Sequence, residues 1–166
     1  MIVVCDSTAL INLAKINQLR LLEDMYGGVL IPQGIYDEVV VKGVGKVGSA
    51  EVQNAPFIQV KEVENPSDIE LYTDPLSWED AEVIVLAREQ NADLIITRDR
   101  RLKSRANREG VPAITLRAFF KEAKEVGLIE AVKPLWDELR NKGVLIREGV
   151  YQEALREAGE LESEDE

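Results

Sequence analysis

Four acidic residues are the side chains of this sequence best suited to chemistry. They are Asp6, Glu38, Glu82 and Asp99, and each stands where a predicted strand or helix would direct it toward a common edge. The chain has no histidine and a single cysteine, so most other routes to hydrolytic chemistry are closed. The pattern therefore predicts a metal-binding carboxylate cluster.

The chemistry of such a cluster follows from its oxygen-only ligands. Carboxylates held together raise one another's pKa unless a cation neutralises them. Oxygen ligands select a hard divalent ion, Mg²⁺ or Mn²⁺, over zinc. Such an ion polarises a phosphodiester and activates water, and two ions about 4 Å apart stabilise both the attacking and the leaving oxygens. The expected cofactor is therefore Mg²⁺ or Mn²⁺.

Length and composition indicate one domain. The chain has 166 residues, 45% of them hydrophobic, which is enough for a substantial core. We predict a single domain over residues 1–158, of which 117–158 form a C-terminal helical part. The apolar runs are no longer than strands, well short of the roughly 20 residues that a membrane helix needs. We expect a cytoplasmic protein without a membrane partner, and Cys5 as a buried apolar filler.

The charges are unevenly distributed along the chain. The 31 acidic and 20 basic residues give a net charge of -11, which argues against a polyanionic partner. Residues 159–166 are predicted to form an acidic disordered tail, because terminal runs of like charge are usually solvated. A basic strip runs from Arg98 to Arg108 with Asp99 as its one acid. This strip predicts either phosphate contacts or simply the solvated face of an amphipathic helix.

Strand-like and helix-like segments alternate along the first two thirds of the chain. This alternation predicts an α/β fold, a three-layer α/β/α sandwich with a mainly parallel central sheet and extra C-terminal helices. The apolar stretch before Pro32 is expected to be a short link, and Asn17 is expected to cap the second helix. The predicted strands cover residues 2–5, 57–63, 92–97 and 112–116.

Asp6 and Asp99 are placed by strand ends. Asp6 directly follows the first predicted strand, and Asp99 lies two residues beyond the strand that ends near Thr97. Ligands of open parallel sheets bind outside the carboxyl ends of the strands. Either aspartate alone could simply cap a helix or open a turn. The occurrence of two such aspartates favours a site.

The other two acids are placed by helix faces. Glu38 lies on a helix opened by Pro32, and its apolar neighbours tilt it toward the sheet edge. On the helix that begins at Trp78, Asp80 has a structural explanation as the partner of a Ser77 cap. Glu82 has none and lies in an apolar stretch, where a carboxylate is costly unless it is paired or metal-bound. Glu82 is therefore the preferred ligand and Asp80 the second choice.

Two further patterns favour structural roles. Gly43 to Gly48 has the spacing of a dinucleotide-binding fingerprint, but it follows a predicted helix instead of the first strand, so a mobile loop beside Glu38 is the preferred interpretation. Aromatic residues on predicted helices are expected to lie in the core or in an interface. These residues are Trp78, Phe119, Phe120 and Trp136.

Several segments, taken in order, match known motifs. They are Val4 to Ala14, Val29 to Pro32 with Glu38, Glu79 to Ile84, and Ile95 to Asp99. Together they resemble the PIN-domain nucleases. The stretch from Gly127 to Leu139 resembles more narrowly an uncharacterised prokaryotic PIN subfamily, whose members often carry Gly-Glu in place of Glu79-Asp80.

The resemblance implies an acidic pocket and Mg²⁺- or Mn²⁺-dependent cleavage of single-stranded RNA. It also implies frequent service as the toxin of a toxin/antitoxin pair, with an antitoxin protein as partner. A homodimer through the C-terminal helices is expected as well. By motif match the catalytic, metal-binding acids are Asp6, Glu38, Glu82 and Asp99, with Ser7 or Thr8 supporting Asp6 and with Arg98, Arg100 and Arg101 positioning the RNA.

Two other functions are compatible with the sequence. One is a catalytically inactive PIN-like protein that acts by binding protein or nucleic acid, which the net charge of -11 favours. The other is a phosphotransferase with Asp6 as nucleophile. That function is less favoured, because such sites usually carry a second aspartate two residues on, where this chain has Thr8.

Overall fold

Residues 1–161 are described by a computed structural model, and they form a five-stranded parallel sheet flanked by helices. The predicted α/β/α sandwich is thereby confirmed. Strand order is β3-β2-β1-β4-β5, so the apolar β1 lies at the centre of the sheet. The strands are β1 Val3–Cys5, β2 Val29–Pro32, β3 Ile58–Lys61, β4 Leu94–Ile96 and β5 Ala113–Ile114.

The chain changes direction across the sheet between β1 and β4. It first adds β2 and β3 on one side of β1 and then crosses to the other side to form β4 and β5. Cys5 of β1 is paired with Ile96 of β4. The next residues, Asp6 and Thr97, therefore leave the sheet side by side at its carboxyl edge, where this topology opens a crevice.

Nine α-helices occur in the described part of the chain. These helices are α1 Ser7–Lys15, α2 Arg20–Tyr26, α3 Gln33–Tyr36, α4 Ser49–Gln53, α5 Trp78–Glu89, α6 Arg100–Arg108, α7 Leu116–Glu125, α8 Lys133–Asn141 and α9 Glu148–Glu157. Helix α3 continues into a π-helical turn, Asp37–Val41, and a 3₁₀ helix, Pro66–Tyr72, precedes α5. In residues 1–161 no helix is long and apolar enough to cross a membrane.

Two local predictions are wrong. Val29–Pro32, expected to be a link, is a full strand, because it pairs with β1 on one side and β3 on the other. Asn17 does not cap α2: it adopts a left-handed turn conformation with φ 57°, and the helix begins three residues later, at Arg20. Pairing with distant strands decides the first case. In the second, Asn17 belongs to the turn that ends α1, where Asn17 N bonds to Ala14 O and Gln18 N bonds to Leu13 O.

The core contains most of the aromatic residues, as predicted. Phe119 and Phe120 are fully buried, and Phe120 packs edge-on against Trp136 with ring centroids 5.2 Å apart. Cys5 is a buried free thiol in the central strand. Trp78 is not part of the core, since 45% of its surface is exposed, and its place in an interface stays a prediction.

Part of the predicted acidic tail is ordered. The Glu160 carboxylate accepts hydrogen bonds from Val132 N at 2.7 Å, Lys133 N at 3.0 Å and Lys124 Nζ at 3.0 Å. Burial opposes its charge, but these three donors outweigh burial and lower the pKa of Glu160. The prediction of a disordered tail from residue 159 is therefore wrong for Glu160, while residues 162–166 lie outside the described part of the chain.

We predict that Glu160→Ala lowers the free energy of unfolding by about 1.5–3 kcal/mol, because it leaves the first N–H groups of α8 and the Lys124 ammonium without their shared acceptor. Glu157→Ala is the matched control, since Glu157 forms only a half-exposed pair with Arg117 at 3.4 Å. Urea unfolding measures both. Equal, small effects of the two substitutions would show that Glu160 belongs to a loose tail.

Candidate metal centre

Asp6 is the most deeply buried acid in residues 1–161, with 1% of its surface exposed. It is the N-cap of α1, where its Oδ1 accepts a hydrogen bond from Ala9 N at 2.8 Å. Its Oδ2 accepts a hydrogen bond from the Thr97 hydroxyl. Both carboxylate oxygens are thus fixed in position, which orients the group at the edge between β1 and β4.

Thr97 is a site residue that the sequence analysis overlooked. Its side chain is fully buried at the end of β4. The hydroxyl donates to Asp6 and accepts a hydrogen bond from Asp99 N at 2.9 Å. Threonine is common at the ends of buried strands, so the residue type alone does not indicate a role in a site. Its role follows from the pairing of β1 with β4, which places it opposite Asp6.

Burial makes the ionised form of Asp6 unfavourable. Loss of solvent around the carboxylate raises its pKa to about 6, although the hydrogen bonds from Thr97 and Ala9 favour the charged form. The negative charge of Asp80 adds to the rise. The protein therefore holds a carboxylate where its charge is costly, an arrangement typical of functional sites.

Asp99 and Asp80 adjoin Asp6 from two helix N-termini. Asp99 caps α6, with its Oδ1 accepting from Arg101 N at 2.7 Å and Leu102 N at 3.3 Å. Asp80 lies in the first turn of α5. Burial raises the pKa of Asp80, and the negative charge of Asp99 raises it further. Asp6, Asp80 and Asp99 are therefore close enough to act on one another electrostatically.

The predicted helix cap at Ser77 is present. The Ser77 hydroxyl accepts a hydrogen bond from the backbone N–H of Asp80 at 3.1 Å. A side-chain hydrogen bond with Ser77 also lowers the pKa of Asp80, against the larger effect of burial and the charges of Asp99 and Glu79. Asp80 therefore has both the structural partner expected from the sequence and acidic neighbours in the cluster.

Glu82 is instead tied to a neighbouring helix. Its Oε1 accepts a hydrogen bond from Gly34 N at 2.9 Å, at the beginning of α3. A β-carbon at position 34 would lie 2.8 Å from Glu82 Oε2, so glycine permits this close approach. Burial raises the pKa of Glu82, and the further increases come from Glu79 and Asp37, not from Asp6 or Asp99. The structure thus places Glu82 beside α3.

Glu38 lies in the π-helical turn and is exposed to solvent. Partial burial of its carboxylate raises its pKa, as do the charges of Glu79 and Asp80, whereas a hydrogen bond with Ser7 favours the charged form. Ser7 therefore supports Glu38, and Thr97 supports Asp6, which corrects the expectation that Ser7 or Thr8 holds Asp6. Thr8 is exposed.

Glu79 is a fifth acid that the sequence analysis did not select. Its charge raises the pKa of Glu38, Asp80 and Glu82. Glu79 therefore lies near Glu38, Asp80 and Glu82. Its sequence signal was its position beside Asp80 in the first turn of α5.

The donor set fits a hard divalent cation. Among the described residues, 1–161, no three acidic side chains already converge on one point as ligands. Mg²⁺ does not require this, because it keeps several waters and is commonly held by one or two carboxylates. The charges that raise the pKa of Asp6 and Asp80 are all negative, and a cation would relieve them. Asp6, Asp80, Asp99 and Glu38 are the residues that would hold it.

The basic strip is partly committed to structure. Arg98 donates from Nη2 to Leu145 O at 2.7 Å, which ties the edge of the site to the segment before α9, and burial lowers the pKa of Arg98. Arg105 pairs with Glu109 at 3.0 Å. Arg100 and Arg101 are exposed at the start of α6. RNA contact by Arg98, Arg100 and Arg101 stays a prediction.

We predict that Asp6→Asn stabilises the metal-free protein at neutral pH. A carboxyl with a pKa of 3.8 when unfolded and about 6 when folded stabilises the fold below pH 4, and this stabilisation is lost as the pH rises through 6. Asparagine cannot ionise and is an equally good N-cap. The gain at pH 7.5 should be on the order of 3 kcal/mol.

Urea unfolding in EDTA at pH 4 and pH 7.5 measures this effect. The advantage of Asp6→Asn should shrink at pH 4, where the wild-type carboxyl is protonated in the folded protein. Asp6→Ala, which removes the cap as well as the charge, controls for the loss of the hydrogen bond to Ala9. An advantage of equal size at both pH values would contradict the assignment of the effect to the Asp6 charge.

Comparison with known proteins identifies a family for the chain. No curated protein matches the chain significantly. A family model described as a PIN domain matches residues 2–160, which includes every acid of the site and Glu160. PIN domains are generally nucleases and typically use divalent metals. With its parallel sheet, its acidic crevice at the β1–β4 edge and this match over nearly its whole length, the chain belongs to the PIN-domain family.

Proposed function

We propose that the protein is a Mg²⁺- or Mn²⁺-dependent endoribonuclease that cleaves single-stranded RNA. The observation that carries the proposal is the group of mutually repelling acids at the carboxyl edge of β1 and β4. Asp6 is buried there with a pKa of about 6, and the charge of Asp80 contributes to that value. Such a group is costly for the fold, and cation binding gives it a function.

We propose Asp6, Asp80 and Asp99 as the principal metal-binding acids, with Glu38 completing the set. The electrostatic links run from Asp6 to Asp80 and from Asp80 to Asp99. Glu82, preferred from the sequence, takes a positioning role, because its bond to Gly34 N fixes the start of the helix that carries Glu38. In this proposal Asp80 replaces Glu82 as the preferred metal ligand.

The residues of the site have distinct tasks in phosphodiester hydrolysis. When bound, a divalent cation neutralises the acids and polarises the scissile phosphate. The Thr97 hydroxyl and Ala9 N–H hold Asp6 in one orientation. Glu38 is exposed at the edge of the cluster, so its carboxylate can be reached by the attacking water and can accept the proton that the water releases. Arg100 and Arg101 lie beside Asp99 and are available to phosphates.

The first test is cleavage of single-stranded RNA. We expect cleavage with Mg²⁺ or Mn²⁺, none in EDTA, and a loss of at least about 100-fold in kcat for Asp6→Asn, because the most constrained acid is removed. Single-stranded DNA and duplex RNA of the same sequence test the substrate class. Activity that survives both EDTA and Asp6→Asn would disprove the proposal.

The second test separates Asp80 from Glu82. Asp80→Asn should weaken Mn²⁺ binding at least about tenfold in calorimetry and leave the fold intact, because it removes a ligand charge from a partly exposed site. Glu82→Ala should lower the unfolding free energy by about 1–3 kcal/mol, because it leaves Gly34 N without a partner. Glu82→Gln keeps an acceptor for that N–H and is the matched control. Loss of Mn²⁺ binding in Glu82→Gln together with unchanged binding in Asp80→Asn would reverse the assignment.

A catalytically inactive binding protein is the second candidate. Val41, at the end of the Glu38 turn, and Val44 and Val47, which follow it, are at least half exposed and provide an apolar surface near Glu38. We propose that a partner such as an antitoxin would cover this surface if the protein is a toxin. The toxin role and a homodimer through the C-terminal helices stay predictions. Absence of Mn²⁺ binding at millimolar concentration would favour the inactive binding protein.

A further inference from the structure

We infer that Trp78 is a stacking platform for a nucleobase of the single-stranded substrate; this inference rests on the proposed function. Trp78 is the first residue of α5 and directly precedes Glu79 and Asp80. It is 45% exposed, whereas the other tryptophan, Trp136, is 3% exposed in the core. A large aromatic ring is thus presented to solvent at the rim of the acidic crevice.

The core does not account for a tryptophan at position 78. Trp78 lies outside the buried core, and no aromatic or cation–π pair in residues 1–161 includes its ring. The hydrophobic contact that usually fixes a helix entry joins the residue before the cap to the fourth helical residue. Those positions hold Leu76 and Ala81, both buried. The helix start is complete without the indole.

The helical periodicity places the indole on the Glu38 side of the crevice. Residues four apart on a helix lie on one face with β-carbons about 5–6 Å apart, so Trp78 stands one turn above Glu82. Glu82 contacts Gly34, and Glu38 lies one turn further along the same helical segment. The ring therefore flanks the rim between α5 and the Glu38 turn.

A flat exposed ring at this rim suits an unpaired base. Bases stack on aromatic side chains with little sequence preference, and only a single strand can present a base face freely. Lys42 lies near enough to Glu38 to lower its pKa, so a cation is also available on this side for a phosphate. A base held on Trp78 would place the adjoining phosphate beside the acids of the neighbouring turn.

Fluorescence and binding test the inference directly. In Trp136→Phe the emission reports Trp78 alone, and in Trp78→Phe it reports Trp136 alone. Single-stranded phosphorothioate RNA of mixed sequence, which resists cleavage, is added in Mg²⁺; it should quench Trp78 and leave Trp136 unchanged, and the duplex of the same sequence should quench neither. Anisotropy of labelled RNA needs no core substitution. There Trp78→Leu should weaken binding by about 5- to 100-fold and Trp78→Phe by less.

Leu71→Ala is the matched control, because Leu71 is a 66% exposed apolar side chain just before α5 with no role in the site. Unquenched Trp78, equal quenching by the duplex, or equal affinity of Trp78→Leu and wild type would overturn the inference. Cleavage of RNA by the wild-type protein in Mg²⁺ is scored separately. Quenching without cleavage would support base stacking on Trp78 and contradict the nuclease function. Cleavage without quenching would support the nuclease function and contradict base stacking on Trp78.

Discussion

The hydrogen bond between the Thr97 hydroxyl and Asp6 is the contact on which the arrangement of the site depends. It exists because β1 and β4 are neighbours with Cys5 opposite Ile96, so that the residues after them emerge together. The same hydroxyl accepts from Asp99 N. One buried side chain therefore fixes two acids that are 93 positions apart in sequence.

Each acid is held by the fold at a place where a negative charge is partly compensated. Asp6 and Asp99 cap α1 and α6, and Asp80 lies in the first turn of α5. The unsatisfied N–H groups and the dipole of a helix N-terminus favour anions. This compensation is incomplete, as the raised pKa of Asp6 and Asp80 shows. The helix N-termini thus lower the cost of the cluster to the fold, and a bound cation would relieve the repulsion that remains.

The fold and two of the acids could be predicted from the sequence because the signals are local. Asp6 and Asp99 follow apolar runs, and parallel strands end at a common edge. The surroundings of Glu82 could not be predicted in this way. Its hydrogen-bond partner is Gly34, 48 residues away. A long-range bond to a backbone N–H leaves no trace in residue type or spacing, and neither does the role of Thr97.

The charge distribution explains why recognition of a polyanion here cannot rest on the basic strip alone. Phosphate contacts dominate nucleic-acid affinity where many cations are available. In this chain Arg98 is bonded to Leu145 O and Arg105 to Glu109, so two of the strip's guanidinium groups are engaged within the protein. The acids nearby repel phosphate until a cation is bound. Under the proposed function, affinity for a single strand therefore draws on contacts that carry no charge as well, and the exposed ring of Trp78 beside the acids is one such contact.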